Sequence, residues 1–393
     1  MKIAATIAEY NPFHLGHEYM LREVKRMGYD AVAAIMSGNF VQRGDCAVAD
    51  KRARVKAALL CGADLVIELP LPYAAATAQR FAFGAARLIE GMGCADAFAF
   101  GSECGNAELI MRTAELIDTD IGDKIKPYLA EGMTFAAARE KAVAEKDEKA
   151  AAILQNPNDT LAVEYVSQLK NSGIKPIAVK RVGSAHDGGA KDGYCSASEI
   201  RRMLLSGDEE SAYRYMPKAA AEIIKGEIEK GNAPAELYTC ENAIISALRQ
   251  MSVQDLRAVP DVSEGLENRI FAAIREQTSL DGIAEAIKSK RYTMARIRRI
   301  LLAAYLGVKA SDLYGGIPYI RVLGANETGR KVMGIMKTAS KVPVVTRAKE
   351  INELGKRAAD LFSAECRSTD LYWLMMPKKQ PCGKEMTDPV IMI

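Results

Sequence analysis

Only three histidines occur in this chain of 393 residues. Two of them, His14 and His17, stand three apart in "EYNPFHLGH" (9–17), beside Pro12 and Gly16. A short apolar run precedes them and an amphipathic stretch follows. That order places both imidazoles at the N-terminus of a helix. Such a terminus offers free N–H groups and partial positive charge. Two imidazoles add donors, which suits a phosphate whose charge grows during reaction. The ordinary alternative is a pair of loop histidines that cap or pack. A metal site is the weaker reading: the spacing is not His-Glu-x-x-His, and no third ligand is evident.

Two further stretches carry candidate chemistry. In "SASEIRR" (196–202), Ser196 or Ser198 can cap a helix whose N–H groups receive phosphate oxygens. Arg201 or Arg202 can add a guanidinium fork. Alone, this is also the pattern of any serine-capped helix. "KSKRYTMARIRRI" (288–300) holds Lys288, Lys290, Arg291, Arg296, Arg298 and Arg299 and no acid. Read as a helix, it puts Met294, Ile297 and Leu301 on an apolar face and leaves the cations to meet phosphates or water.

The elements that must position these groups follow from periodicity. "KIAATIA" (2–8) is a buried-strand run, and Met20, Val24 and Met27 mark a helix face after it. Strands are expected at 30–38, 64–70 and 95–103, with helices at 52–63 and 79–93 between them. This alternation predicts an α/β fold with a parallel sheet. Residues 105–155 read as a helical insertion, 174–183 as a returning strand and 196–207 as a capped helix. The first domain is therefore expected to span 1–205. From 206 to 393 the pattern is mainly helical, with short strands and a helix within 319–346. Ligands of open parallel sheets bind at the carboxyl ends of strands, where the histidines lie.

Composition bounds the rest. The net charge of +3 says little about partners, so local clusters must carry that argument. The eight cysteines form no Cys-x-x-Cys pair, which predicts free thiols rather than a disulfide framework or a zinc site. No convincing secretory signal or membrane span is present, so a cytoplasmic protein is expected. Oligomeric state is not legible.

The strand, "NPFHLGH", helix and later "SASEIRR" together resemble the nucleotidyltransferase superfamily of the His-x-Gly-His type. "MSGNFVQRGD", "DLVIELP", "FAFGSE", "PND", "KRVGSAHD", "SEGLENRI" and "KRYTMARIRRILL" extend the likeness from residue 1 to about 345. They resemble the tRNA(Met) cytidine acetate ligase family. Leu15 stands where that family usually has Asn, and "NDTL" (158–161) where it tends to read Asn-Asn-Ile-Leu; both histidines remain.

The resemblance implies a Rossmann-like ATP-binding domain and a helical, tRNA-binding C-terminal part. It implies activation of acetate by ATP, with Mg²⁺, and acetylation of the wobble cytidine of elongator tRNA(Met). His14 and His17 would be catalytic. ATP would contact Ile7, Ala8, Glu9, Tyr10, Asn11, Pro12, Phe13, His14, Leu15, Gly16, His17, Glu18, Tyr19 and Met20. Gly101, Asn158, Arg181, Ser196, Ser198, Arg201 and Arg202 would complete the ATP site, and the 288–299 cations would grip tRNA. No protein metal ligands are expected. The alternatives are a small-molecule nucleotidyltransferase and a non-catalytic RNA-binding protein with a relict nucleotide site. A class I aminoacyl-tRNA synthetase-like protein lacks support, because no convincing Lys-Met-Ser-Lys-Ser loop is present.

Overall fold

The computed structural model describes residues 1–182, 193–263 and 265–393. Gly183, the remainder of "KRVGSAHD" and Glu264 lie outside the described residues. The strands are β1 (Ile3–Ala8), β2 (Ala31–Ser37), β3 (Phe40–Val41), β4 (Asp45–Cys46), β5 (Leu65–Leu69), β6 (Ala97–Ser102), β7 (Lys175–Lys180), β8 (Ile320–Ala325), β9 (Val344–Val345) and β10 (Ile391–Met392). The main sheet runs β10-β8-β5-β2-β1-β6-β7, with β9 beside β8. From β5 to β7 every pairing is parallel. β8 joins β5 antiparallel, so the sheet draws strands from both sides of the boundary expected at 205. Periodicity marks such a strand, but nothing in it says which sheet the strand will join.

The parallel strands are buried on both faces, which is why they read as continuous apolar runs. Ile3, Ala5, Ile35, Ile67 and Phe98 face one core, closed by the helices Ala78–Met92 and Pro157–Leu169. Ala4, Val32, Ala34, Val66 and Ala99 face the other, closed by Leu15–Arg26, Lys51–Leu60 and Lys218–Glu229. The 105–155 insertion forms four helices around a small core of its own, with Ile121, Ile125, Ala138 and Val143.

A third core holds the C-terminal helices, through Ile244, Leu248, Ile270, Ile297 and Leu301. Phe40 and Leu71 from the N-terminal part enter this core as well. The β3–β4 hairpin presses on it. A Cβ at Gly44, where φ is +77°, would stand 2.6 Å from the backbone nitrogen of Arg299, so only glycine fits. The basic stretch departs from expectation: 288–293 is not helical, and the helix begins at Met294 behind a Thr293 cap. The Thr293 hydroxyl accepts from the Arg296 N–H, and that local bond competes with an earlier start.

A buried charge cluster ties the C-terminus to the sheet. Lys51 Nζ lies 2.5 Å from Glu68, 3.2 Å from Glu365 and 2.8 Å from Glu385. Arg321 of β8 pairs with Glu68 and Glu385. Burial, with Glu68 beside it, raises the Glu365 carboxyl. Lys51→Met should cost about 3–5 kcal/mol, because it strands buried carboxylates. Urea unfolding measures this. A loss below about 1 kcal/mol would mean that the carboxylates neutralise without Lys51.

Candidate active site

The strand order reverses between β1 and β6, and a cleft of about 380 Å³ opens at the carboxyl ends of these strands. That is the expected ligand position for an open parallel sheet. His14 caps the helix Leu15–Arg26: its Nδ1 accepts from the Gly16 N–H at 3.0 Å. His17 returns the bond, its Nδ1 accepting from the His14 N–H at 3.2 Å. The two rings stack with centroids 3.7 Å apart. Tyr10 meets the His17 ring edge-on, and Phe13 packs beside it. Gly16 serves this arrangement, since a Cβ there would stand 2.9 Å from the His14 ring.

These bonds decide the tautomer. Each Nδ1 is an acceptor, so a neutral ring carries its proton on Nε2. Burial, then Arg181 and Arg201, push the His14 pKa down to about 3. Burial, then His14 and Arg181, hold His17 well below its ordinary value. Two neutral N–H donors therefore serve the site at neutral pH.

Across the cleft, Ser196 caps the helix Ala197–Leu205, its hydroxyl accepting from the Glu199 N–H at 3.2 Å. Arg201 donates to the Asn11 carbonyl at 2.8 Å and to Ser198 Oγ at 3.1 Å. Ser196, Ser198 and Arg201 line the cleft with Gly101, Asn158 and Arg181. Asn158 donates to Glu103, and Arg181 Nε lies 4.0 Å from the same carboxylate. Of residues 7–20, Pro12, Phe13, Leu15 and Glu18 do not line the cleft. Phe13 is buried in the sheet core instead. Arg202 also points elsewhere. It pairs with Glu199 on the outer face, and its side chain is 66% exposed, because neighbouring helix positions point about 100° apart.

Several contributors were not legible in the sequence. Arg54 is fully buried and donates to the carbonyls of Glu9, Ser37, Gly38 and Ala49. Asp159 accepts from Ser102 Oγ and from the N–H groups of Glu103 and Cys104. Phe81, Leu161 and Tyr165 supply an apolar wall. Thr6 Oγ1 is buried with no partner among the described residues, and Thr6 lines the cleft. Asp159 sits inside the quoted "PND", which was the one available signal.

The basic stretch lies apart from the cleft floor. Lys288, Lys290, Arg291 and Arg298 are exposed. Arg296 donates to the Asp261 carbonyl and to Ser263 Oγ. Arg299 turns inward, 3.8 Å from Asp261 and only 14% exposed.

Comparison with known proteins decides the family. The chain matches the HIGH Nucleotidyl Transferase family over residues 1–386. A tRNA(Met) cytidine acetate ligase of Thermoanaerobacter pseudethanolicus is 37% identical, with 100% of each chain covered. The chain belongs to the tRNA(Met) cytidine acetate ligase family. The Halothermothrix orenii member is 33% identical over 100% of this chain and 99% of its own. Two crystal structures of Thermotoga maritima TmcAL, 30% identical, cover 100% of both chains. The apo form superposes with a TM-score of 0.94, and the form bound to alpha-thio ATP with 0.93.

Two predictions follow from the histidines. His14→Asn keeps a capping oxygen but removes the Nε2 donor, and His17→Ala removes the second donor. Each should lower ATP–pyrophosphate exchange by about 10²-fold or more. Near-wild-type exchange in both folded variants would remove the histidines from the chemistry. The depressed histidine pKa values also link to stability. Below about pH 6.5 the unfolded chain binds protons that the folded chain refuses. Stability from this source is full above that pH and is lost as pH falls toward 3. The thermal midpoint should drop from pH 7 to pH 5, and the drop should shrink when both histidines are replaced.

Proposed function

We propose that this chain activates acetate with ATP and transfers the acetyl group to the wobble cytidine of elongator tRNA(Met), forming N4-acetylcytidine. The observation that carries the reading is one cleft with two neutral imidazole donors on one side and a serine-capped helix terminus with Arg201 on the other. In the first step, an acetate oxygen attacks the α-phosphorus of ATP and pyrophosphate leaves. His14 and His17 donate to the α-phosphate oxygens as charge builds there. The N-terminus of Ala197–Leu205 and Arg201 receive the departing pyrophosphate. In the second step, the cytidine amino group attacks the acetyl carbon and AMP leaves.

Catalysis of this kind is positioning and electrostatics. Among the described residues, no three His, Cys, Asp or Glu side chains cluster as a metal site. Magnesium on the outer phosphates would be held mainly by phosphate and water, and would supply charge neutralisation there. Among the described residues no helix is long and apolar enough to cross a membrane; a cytoplasmic setting fits a tRNA substrate. We assign residues 1–205 to nucleotide chemistry and the helical part of 206–393 to tRNA. A small-molecule transferase would leave the basic stretch without a role.

The direct test is incubation with ATP, acetate and total tRNA, followed by nucleoside analysis. N4-acetylcytidine should form only with all three. Its formation from acetyl-coenzyme A without ATP would refute the reading. The exposed cations should read out as salt dependence. Lys288→Ala with Lys290→Ala should weaken tRNA binding, and the slope of log K against log salt should become shallower by about 0.7–0.9 per lost contact. ATP affinity should hold. An unchanged slope would move the tRNA surface elsewhere.

A further inference from the structure

A second chamber, of about 280 Å³, adjoins the nucleotide cleft. It lies between the β3–β4 hairpin and the C-terminal helices. Glu9, Asn11, Arg43, Ser198 and Arg201 line both spaces, so the two share a wall. The first step uses only the shared Ser198 and Arg201; the rest of the second chamber's lining, from the β3–β4 hairpin and the C-terminal helices, is left without a role.

The walls of this chamber suit one flat, polar-edged ring. Ile244, Leu280, Leu301 and Leu302 provide apolar faces. The polar groups include acceptors: Tyr238 donates to Asp281 Oδ1 at 2.7 Å, and Asp45 and Glu9 add carboxylates. Arg298 also lines the chamber and is exposed, so the chamber reaches the basic stretch. A backbone held there could deliver one unstacked base inward, as enzymes that act on a base require. The volume is close to the lower end for ligand pockets, which fits one nucleoside rather than a duplex.

We propose that this chamber receives the cytosine base of the acceptor nucleotide, and that Glu9 on the shared wall takes the proton from its amino group. The proposal rests on the acetate-ligase reading above. Carboxylates accept from the cytosine 4-amino group; uracil would set an oxygen against them, and their charge would repel it. Glu9 is the one carboxylate lining the nucleotide cleft among the described residues. Its Oε1 accepts from the Gln42 N–H at 2.9 Å, and its own carbonyl accepts from Arg54 at 2.6 Å, so its backbone and side chain are both held. In the transfer step, the amino nitrogen forms a bond to the acetyl carbonyl carbon. The bond from that carbon to the phosphate oxygen breaks, and its electron pair leaves with AMP. The nitrogen proton passes to Glu9.

The test separates the two steps in the full-length protein. Acetate, ATP and hydroxylamine give acetyl hydroxamate, which reports the adenylate with a nucleophile that needs no chamber. Transfer to tRNA reports the second step in a single turnover. Glu9→Gln, Tyr238→Ala and Asp281→Ala should each lower transfer at least tenfold further than they lower hydroxamate formation. Free cytidine should inhibit transfer but not hydroxamate formation, and uridine should inhibit neither. Equal losses in both assays would overturn the proposal, because the residues would then serve the nucleotide cleft. Unaltered transfer in all three variants would overturn it too. Absence of hydroxamate from the wild-type protein would instead sink the acetate-ligase reading itself.

Discussion

The buried guanidinium of Arg54 is the contact on which the site depends. Its partners are main-chain carbonyls: Glu9 after β1, Ser37 and Gly38 at the end of β2, and Ala49 before its own helix. A guanidinium buried without acceptors would be very costly, so the carbonyls must come to it. Burial also lowers its pKa. By gathering these carbonyls, one side chain sets the exit of the first strand, from which the histidine loop hangs. It also sets the loop that carries the β3–β4 hairpin. Tyr10 begins the turn with a left-handed φ of 47°, a conformation that surrounding structure must enforce in a residue other than glycine.

The electrostatic design is a division of labour between charged and neutral donors. Arg181 and Arg201 bring fixed positive charge to the cleft. Two imidazolium rings stacked at 3.7 Å beside them would repel each other and both arginines. Burial and Arg181 keep both rings neutral, and Arg201 adds to the effect at His14. The cleft therefore holds two ring donors without storing charge repulsion between them, and an anion bound there would meet a preorganised field.

Part of this site was legible in residue types and spacing. His14, His17, Ser196, Ser198 and Arg201 all line the cleft, since each belongs to a strand–loop–helix or capped-helix pattern with a local physical meaning. Arg202 shows where that logic stops. It neighbours Arg201 in sequence, but the helix turns it outward to Glu199. Arg296 and Arg299 show the same limit: both are basic, yet the 261–263 loop engages them, and only a loop distant in sequence decides that. Arg54 carries no sequence pattern at all, because its partners are backbone carbonyls of other loops.

The sequence by itself determined the alternation of strand and helix, the histidine pair at a helix start and the serine cap opposite. These follow from periodicity and from side chains that bond within a few residues of themselves. Tertiary structure decided the rest. It brought β8 and β10 from the C-terminal part into the first sheet, with Lys51 and Glu68 meeting Arg321 and Glu385 from hundreds of residues later in the chain. It lowered the pKa values of His14 and His17. It also placed a second chamber beside the first, by pressing Gly44 against the backbone of the Met294–Leu306 helix. Each of these depends on burial and on partners far away in the chain, and neither is written in local spacing.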